Sequence, residues 1–271
     1  MNFKNKTIII TGASSGIGKS CAEIFAKKGA NLVLAARQYP VLCEIVNDLE
    51  KRFNIKVLAV QCDVSKEEDC KKLIEKSIST FNNIDVLVNN AGISMRALFK
   101  DLDLIVLRNL MDVNFWGAVY CTKYALPALL KSKGSVVGIS SVAGYHGLPG
   151  RTGYSASKYA MNGFLEALRI ENLKTGLHVL IVAPGFTTSN IRHVALVKDG
   201  TPQGETSMNE SAMMSANTAA ELIVEAVYKR KRTLVMTGQA KLTVFLDKIL
   251  PAWLDKLVYN HFTKEKDPLI R

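Results

Sequence analysis

Apolar residues come in short unbroken runs along this chain, and between the runs they return every three or four positions. KTIIIT (6–11), NLVLAA (31–36), KVLAVQ (56–61), IDVLVNN (84–90), SVVGIS (135–140), HVLIVAP (178–184) and TLVM (233–236) read as strands. Runs without alternating polar positions are buried on both faces, as in a parallel sheet covered by helices. Helical spacing fills 16–28, the stretch from NLVLAA to about 53, and 66–80; it continues as two helices across 101–131, then over 153–174 and 218–230. The pattern predicts one doubly wound α/β domain, strand order 3-2-1-4-5-6-7, with ligands above the carboxyl ends of the strands.

Two segments break the rhythm. Residues 186–216 are rich in Gly, Ser, Thr, Asn and Met, a connection long enough to serve as a lid. Residues 240–262 carry apolar residues at helical spacing around Pro251, which should kink or restart a helix. The expected organisation is a core over 1–237, with 238–271 as a C-terminal helical extension of the same domain.

Composition narrows the classes. A chain of 271 residues buries roughly three-quarters of its unfolded surface, so no metal or disulfide staple is required. Five cysteines at 21, 43, 62, 70 and 121 form no Cys-x-x-Cys pair, which points to a reduced, cytoplasmic setting and to no metal site. No secretory leader and no run of 18 apolar residues is read in the sequence. Net charge is +11, and from residue 229 onward ten Lys and Arg stand against four Asp and Glu. Without aromatic interleaving or a nucleic-acid motif, that charge reads as solvated surface and not as a nucleic-acid site. The run KRKR (229–232) reads as a helix C-terminus satisfying its dipole.

The first strand ends in TGASSGIG (11–18). Gly12, Gly16 and Gly18 let the backbone turn and approach a diphosphate, and the next helix offers its free N–H groups to that anion. Ser14, Ser15 and Ile17 complete the loop. The second strand ends at Ala36 and Arg37, where a carboxylate would accept from a ribose 2′-hydroxyl. A guanidinium there pairs with a 2′-phosphate instead, so the expected cofactor is NADP in preference to NAD.

YSASK (154–158) sets Tyr154 and Lys158 one helical turn apart, on one face. An ammonium roughly 5 Å from the phenol oxygen contributes about 3 kcal/mol at an effective dielectric near 20. That is roughly two pKa units in favour of phenolate, toward the range where acid–base chemistry is efficient.

Taken together, TGASSGIG, NNAG (89–92), Asn114 in VNFWG, Ser140 and Ser141 in ISSVAG, YSASK, and Pro184 with Gly185 resemble the short-chain dehydrogenase/reductase family over about residues 5–237. The order is similar, with 27 residues from Asn114 to Ser141, 13 to Tyr154 and 4 to Lys158. The resemblance implies a Rossmann-type fold and an NADP(H)-dependent carbonyl reductase or alcohol dehydrogenase. Tyr154 would exchange the proton, Lys158 would tune it and hold the nicotinamide ribose, and Ser141 would hydrogen-bond the substrate oxygen. Asn114 would interrupt its helix and position a relay water. Asp63 and Val64 would meet the adenine, with Asn90, Ala91 and Gly92 along its ribose and the central chain. Gly185 would admit the nicotinamide, and Thr187 or Ser189 would meet its carboxamide side. A non-catalytic dinucleotide-binding or tethering module, or a lyase or epimerase on the same scaffold, are the alternatives.

The substrate is expected under 186–216, near His146, Leu148, Pro149 and Met208, Met213 and Met214; His146 reads first as a satisfied histidine. The tail over 240–262 is similar to that of the microsomal-steroid-dehydrogenase-like branch, which implies a lipophilic substrate. The tail could close the substrate pocket, dimerise or lie on a membrane surface, with core or subunit packing expected ahead of a weak peripheral membrane contact. Family resemblance also implies a homodimer or homotetramer through helices at 111–131 and 153–174.

Overall fold

The computed structural model describes residues 1–188, 190–204, 213–264 and 267–270. Its strands are β1 (Thr7–Thr11), β2 (Asn31–Ala36), β3 (Val57–Gln61), β4 (Val86–Asn89), β5 (Ser135–Ile139), β6 (His178–Ala183) and β7 (Thr233–Val235). They pair in parallel in the order β3-β2-β1-β4-β5-β6-β7, as the apolar runs require.

The period of two splits each run between two cores. Ile8 and Ile10 face α1 (Gly16–Lys27), α2 (Tyr39–Phe53) and α7 (Ala216–Tyr228), joined by Leu32, Leu34, Val86 and Val88. Ile9 points the other way with Val33, Leu87 and Val136, toward α3 (Glu67–Phe81), α5 (Gly117–Ser132) and α6 (Thr152–Glu171). Ile8, Ile9 and Ile10 are fully buried, so cutting any one to alanine should cost about 2–5 kcal/mol.

β2 lies on one side of β1 and β4 on the other. The chain reverses direction across the sheet at that point, and the crevice it opens lies at the carboxyl ends of β1 and β4. Between β4 and β5 runs α4 (Leu104–Met111), then a π-helical turn at Asp112–Trp116, then α5. The two helices expected across 101–131 are therefore joined through that wider turn.

Pro251 restarts the helix as expected: α8 (Gly238–Ile249) stops at Leu250, and α9 (Pro251–Phe262) begins on the proline. Thr237 caps α8, its Oγ1 accepting from Ala240 N at 3.1 Å. Few of this hairpin's residues are buried: Ala240, Leu254 and Phe262. In the expected lid, Thr187 bridges to Met214, and Leu196 bridges to Met95 and Pro202.

Candidate functional site

The loop after β1 is held from the end of β4. Thr11 Oγ1 accepts from the backbone N–H groups of Asn90 and Ala91, both at 3.0 Å. Asn90 Nδ2 donates to Thr11 O at 2.9 Å and Gly12 O at 3.1 Å. Gly12 has φ +63°, and a Cβ on Gly18 would stand 2.3 Å from Gly12 O. Gly18 thus seats α1 under the loop, and Ser15, at the start of α1, makes no side-chain cap. The first N–H groups of that helix are left to the crevice, an anion-binding geometry.

A crevice of about 490 Å³ runs over this loop, within the range of small-ligand sites. It is lined by Gly12, Ser14, Ser15, Gly16 and Ile17, by Arg37, Asp63 and Val64, and by Asn90, Ala91 and Gly92. Ser141, Tyr154, Lys158, Pro184, Gly185 and Thr187 complete the expected set along it. Gly18 and Asn114 are not part of the lining, and Ser189 lies outside the described residues. Arg37 is exposed at the rim, where its carbonyl accepts from Gln61 Nε2 at 3.2 Å. Asp63 Oδ1 is engaged by Ser65 N and Oγ at 3.1 and 2.8 Å, which orients the carboxylate.

Asn114 occupies the π-helical turn and is fully buried. Its amide donates to Ile93 O at 3.0 Å and Ser157 Oγ at 2.9 Å, and its Oδ1 accepts from Ile93 N at 2.8 Å. A Cβ on Gly92 would stand 3.1 Å from Asn114 Oδ1 and 3.5 Å from Lys158 Nζ. The glycine thus keeps that narrow space open between crevice, asparagine and lysine.

Lys158 is buried, donates to Ile139 O at 2.8 Å, and is held down at about 8 by burial. Its ammonium lies 5.7 Å from the centroid of the Tyr154 ring. Burial raises the Tyr154 phenol above its ordinary value, opposed by a hydrogen bond with Ser141 and by the charge of Arg151. The sequence expectation assigned that lowering to Lys158; in the chain alone it comes from Ser141 and Arg151. Arg151 was missed because nothing in its spacing marks it. Its burial and its bonds to Ser94 Oγ and Met95 O, at 3.1 and 3.3 Å, arise only on folding.

A second, more apolar pocket of about 390 Å³ adjoins the crevice. Ser141, Tyr154, Pro184, Gly185 and Ile191 line both spaces, so the phenol stands at their junction. Of the residues expected around a substrate, Leu148 lines this pocket and Pro149 a small neighbouring cavity. Met213 and Met214 do not line it; Met214 packs against the sheet core instead, and Met208 lies outside the described residues. The outer wall comes from the hairpin, with Leu242, Leu246, Leu254, Leu257, Val258 and Phe262. The helical spacing of 240–262 was the available signal, but periodicity does not say what a helix face covers.

Comparison with known proteins follows the same lines. A family model described as short chain dehydrogenase matches residues 6–198. The 11-beta-hydroxysteroid dehydrogenase A of Arachis hypogaea is 35% identical over 271 residues, covering 95% of this chain and 76% of that protein. A short chain dehydrogenase/reductase from Burkholderia phymatum, solved with NAD, aligns with a TM-score of 0.82 and 24% identity over 92% of this chain and 94% of its own. An alcohol dehydrogenase from the archaeon Thermococcus sibiricus, solved with 5-hydroxy-NADP, aligns at 0.74 and 24% identity over 85% and 95%. At that identity the two structures speak for the fold.

Proposed function

This chain belongs to the short-chain dehydrogenase family, and on that premise we propose that it is an NADP(H)-dependent carbonyl reductase and alcohol dehydrogenase acting on a lipophilic small molecule. The observation that carries the reading is the junction at Tyr154: a polar crevice and an apolar pocket share its side chain and that of Ser141.

The residues fit a dinucleotide. The uncapped start of α1 would take the diphosphate, Asp63 and Val64 the adenine side, and Lys158 the nicotinamide ribose. Arg37 at the rim, with Ala36 and Gln38 beside it and no carboxylate at the end of β2, supports a 2′-phosphate and hence NADP over NAD. When bound, the nicotinamide supplies or takes the hydride.

The chain's own groups handle the proton and the charge. Ser141 Oγ and the Tyr154 hydroxyl both line the shared space, where each could donate to one substrate oxygen. Tyr154 gives its proton to that oxygen in reduction and takes it back in oxidation. Asn114, beside the space under Gly92 and near Lys158, would position a water that relays the proton between Tyr154 and solvent through Lys158. The hairpin wall, with the bridges of Thr187 to Met214 and of Leu196 to Met95 and Pro202, would limit the access of water.

We assign residues 238–271 to the same domain as the core, and the working form to a cytoplasmic homodimer or homotetramer. Among the described residues no helix is long and apolar enough to cross a membrane. The test is a cofactor titration followed by an NADPH-oxidation screen over aldehydes, ketosteroids, 3-oxoacyl thioesters, retinal and small diketones. Tighter NADPH than NADH binding and turnover of at least one bulky apolar carbonyl are expected. Tenfold tighter NADH binding would overturn the cofactor assignment.

A further inference from the structure

His146 has no part in the chemistry described above, yet it is buried beside the catalytic residues, at 5% exposure. It follows the short helical turn Val142–Gly144 that begins at Ser141, and its N–H donates to Val142 O at 3.1 Å. Its ring leaves that loop and meets the C-terminal hairpin. Nδ1 donates to Asp247 Oδ1 on α8 at 2.8 Å, and Nε2 faces Asp255 Oδ1 on α9 at 3.7 Å. Both ring nitrogens therefore address carboxylates, one from each helix of the hairpin. On α6 the Tyr159 hydroxyl donates to Tyr145 O, and burial, with the Asp247 charge, raises its phenol.

The hairpin has few other anchors. Among its described residues only Ala240, Leu254 and Phe262 are buried, while Phe245, Ile249, Leu250 and Trp253 are all at least half exposed. At its start, the close approach of Gly185 to Thr237 holds α8, since a Cβ there would stand 2.8 Å from Thr237 Oγ1. Near the turn between α8 and α9, the ties to the core among the described residues include buried Leu254 and the polar contacts of His146 with Asp247 and Asp255. The two helices that flank this turn carry the wall of the apolar pocket.

We propose that His146 is a positioning residue. Through Asp247 and Asp255 it fixes the α8–α9 hairpin against the catalytic loop, and so sets the size of substrate that the pocket holds. The inference rests on the function proposed above for its kinetic readout but not for its structural one. Substrates that fill the pocket should depend on the clamp, and short carbonyls that reach only Tyr154 and Ser141 should not.

The test compares His146→Leu, His146→Asn and Asp247→Asn in the full chain. In His146→Leu the KM for a bulky apolar carbonyl should rise about tenfold, with kcat within twofold and the KM for NADPH unchanged. For a short aldehyde both constants should stay within twofold. His146→Asn keeps an N–H toward Asp247 and should recover most of the loss. Hydrogen exchange across 238–262 should quicken in His146→Leu and Asp247→Asn but not in His146→Asn. A KM for the bulky carbonyl that does not move, or a kcat that falls equally for short and bulky substrates, overturns the proposal. Exchange across 238–262 that matches the wild type in every variant does the same, even if the chain turns over no carbonyl and the functional reading fails separately.

Discussion

Tyr154 is a phenol pulled two ways: burial keeps its proton on, while Ser141 and the Arg151 charge ease it off. On the proposed mechanism, changing Tyr154 to Phe removes the proton passed to substrate while leaving the rest of the crevice lining. Turnover should fall at least a thousandfold with NADPH affinity within threefold, read by steady-state kinetics and cofactor fluorescence. Arg151→Met takes away one of the two lowering influences, so the tyrosine pKa should rise. The alkaline limb of carbonyl reduction, where the proton donor is lost, should then move to higher pH in a pH–rate profile. Lys158 gives a stability prediction whose sign is fixed by its burial. Its folded value of about 8 lies below the ordinary 10.5, so below pH 8 the folded state bears the full cost of a buried charge. Between pH 8 and 10.5 that cost fades, because the folded chain sheds the proton first. The shift is worth roughly 3 kcal/mol at most, less about 1 kcal/mol for the lost bond to Ile139 O. Cofactor-free Lys158→Met should therefore melt higher than wild type at pH 7, and the gap should close toward pH 10. Helical spacing singled out Tyr154 and Lys158, and the family resemblance added Ser141; all three line the crevice. Arg151 and His146 were not legible in these roles, because their partners lie 57 and 101 residues away.

The elements divide by the kind of signal that specifies them. The β1 loop and α1 could be read because glycines are needed where backbone meets backbone. Gly18→Ala would force a Cβ to 2.3 Å from Gly12 O. It should cost about 1–3 kcal/mol of stability and at least tenfold in NADPH affinity, measured by thermal melting and titration. Helix ends were less legible: α6 starts at Thr152 and ends at Glu171, and α7 begins at Ala216. Fraying and short caps fix such ends, and periodicity does not see them. The hairpin was legible as two helices, through Pro251, but its role stayed open between pocket closure, packing and membrane contact. It walls the apolar pocket with one face and leaves Phe245, Ile249 and Trp253 largely exposed on the other.

For the whole molecule, seven apolar runs and their spacing were enough for the sheet order, because a strand buried on both faces admits few topologies. Charge at this scale was harder to interpret. The tail's two hairpin acids, Asp247 and Asp255, are directed to His146, and Lys241, Lys248 and Lys256 remain exposed. Sedimentation should nonetheless show a dimer or tetramer, without binding to neutral vesicles. Should anionic vesicles pellet the chain, and Phe245→Ser with Trp253→Ser abolish it, the apolar face meets lipid and not a second subunit. The account as a whole depends on hydride and proton meeting at the junction of the two cavities. NADPH carrying deuterium at the transferable position of its nicotinamide tests this most directly, with a carbonyl from the screen and mass analysis of the product. Wild type should place one deuterium on the former carbonyl carbon, and Tyr154→Phe should form no labelled alcohol while still binding NADPH. Labelled product at wild-type rates from Tyr154→Phe, or unlabelled product from the wild type, would contradict it.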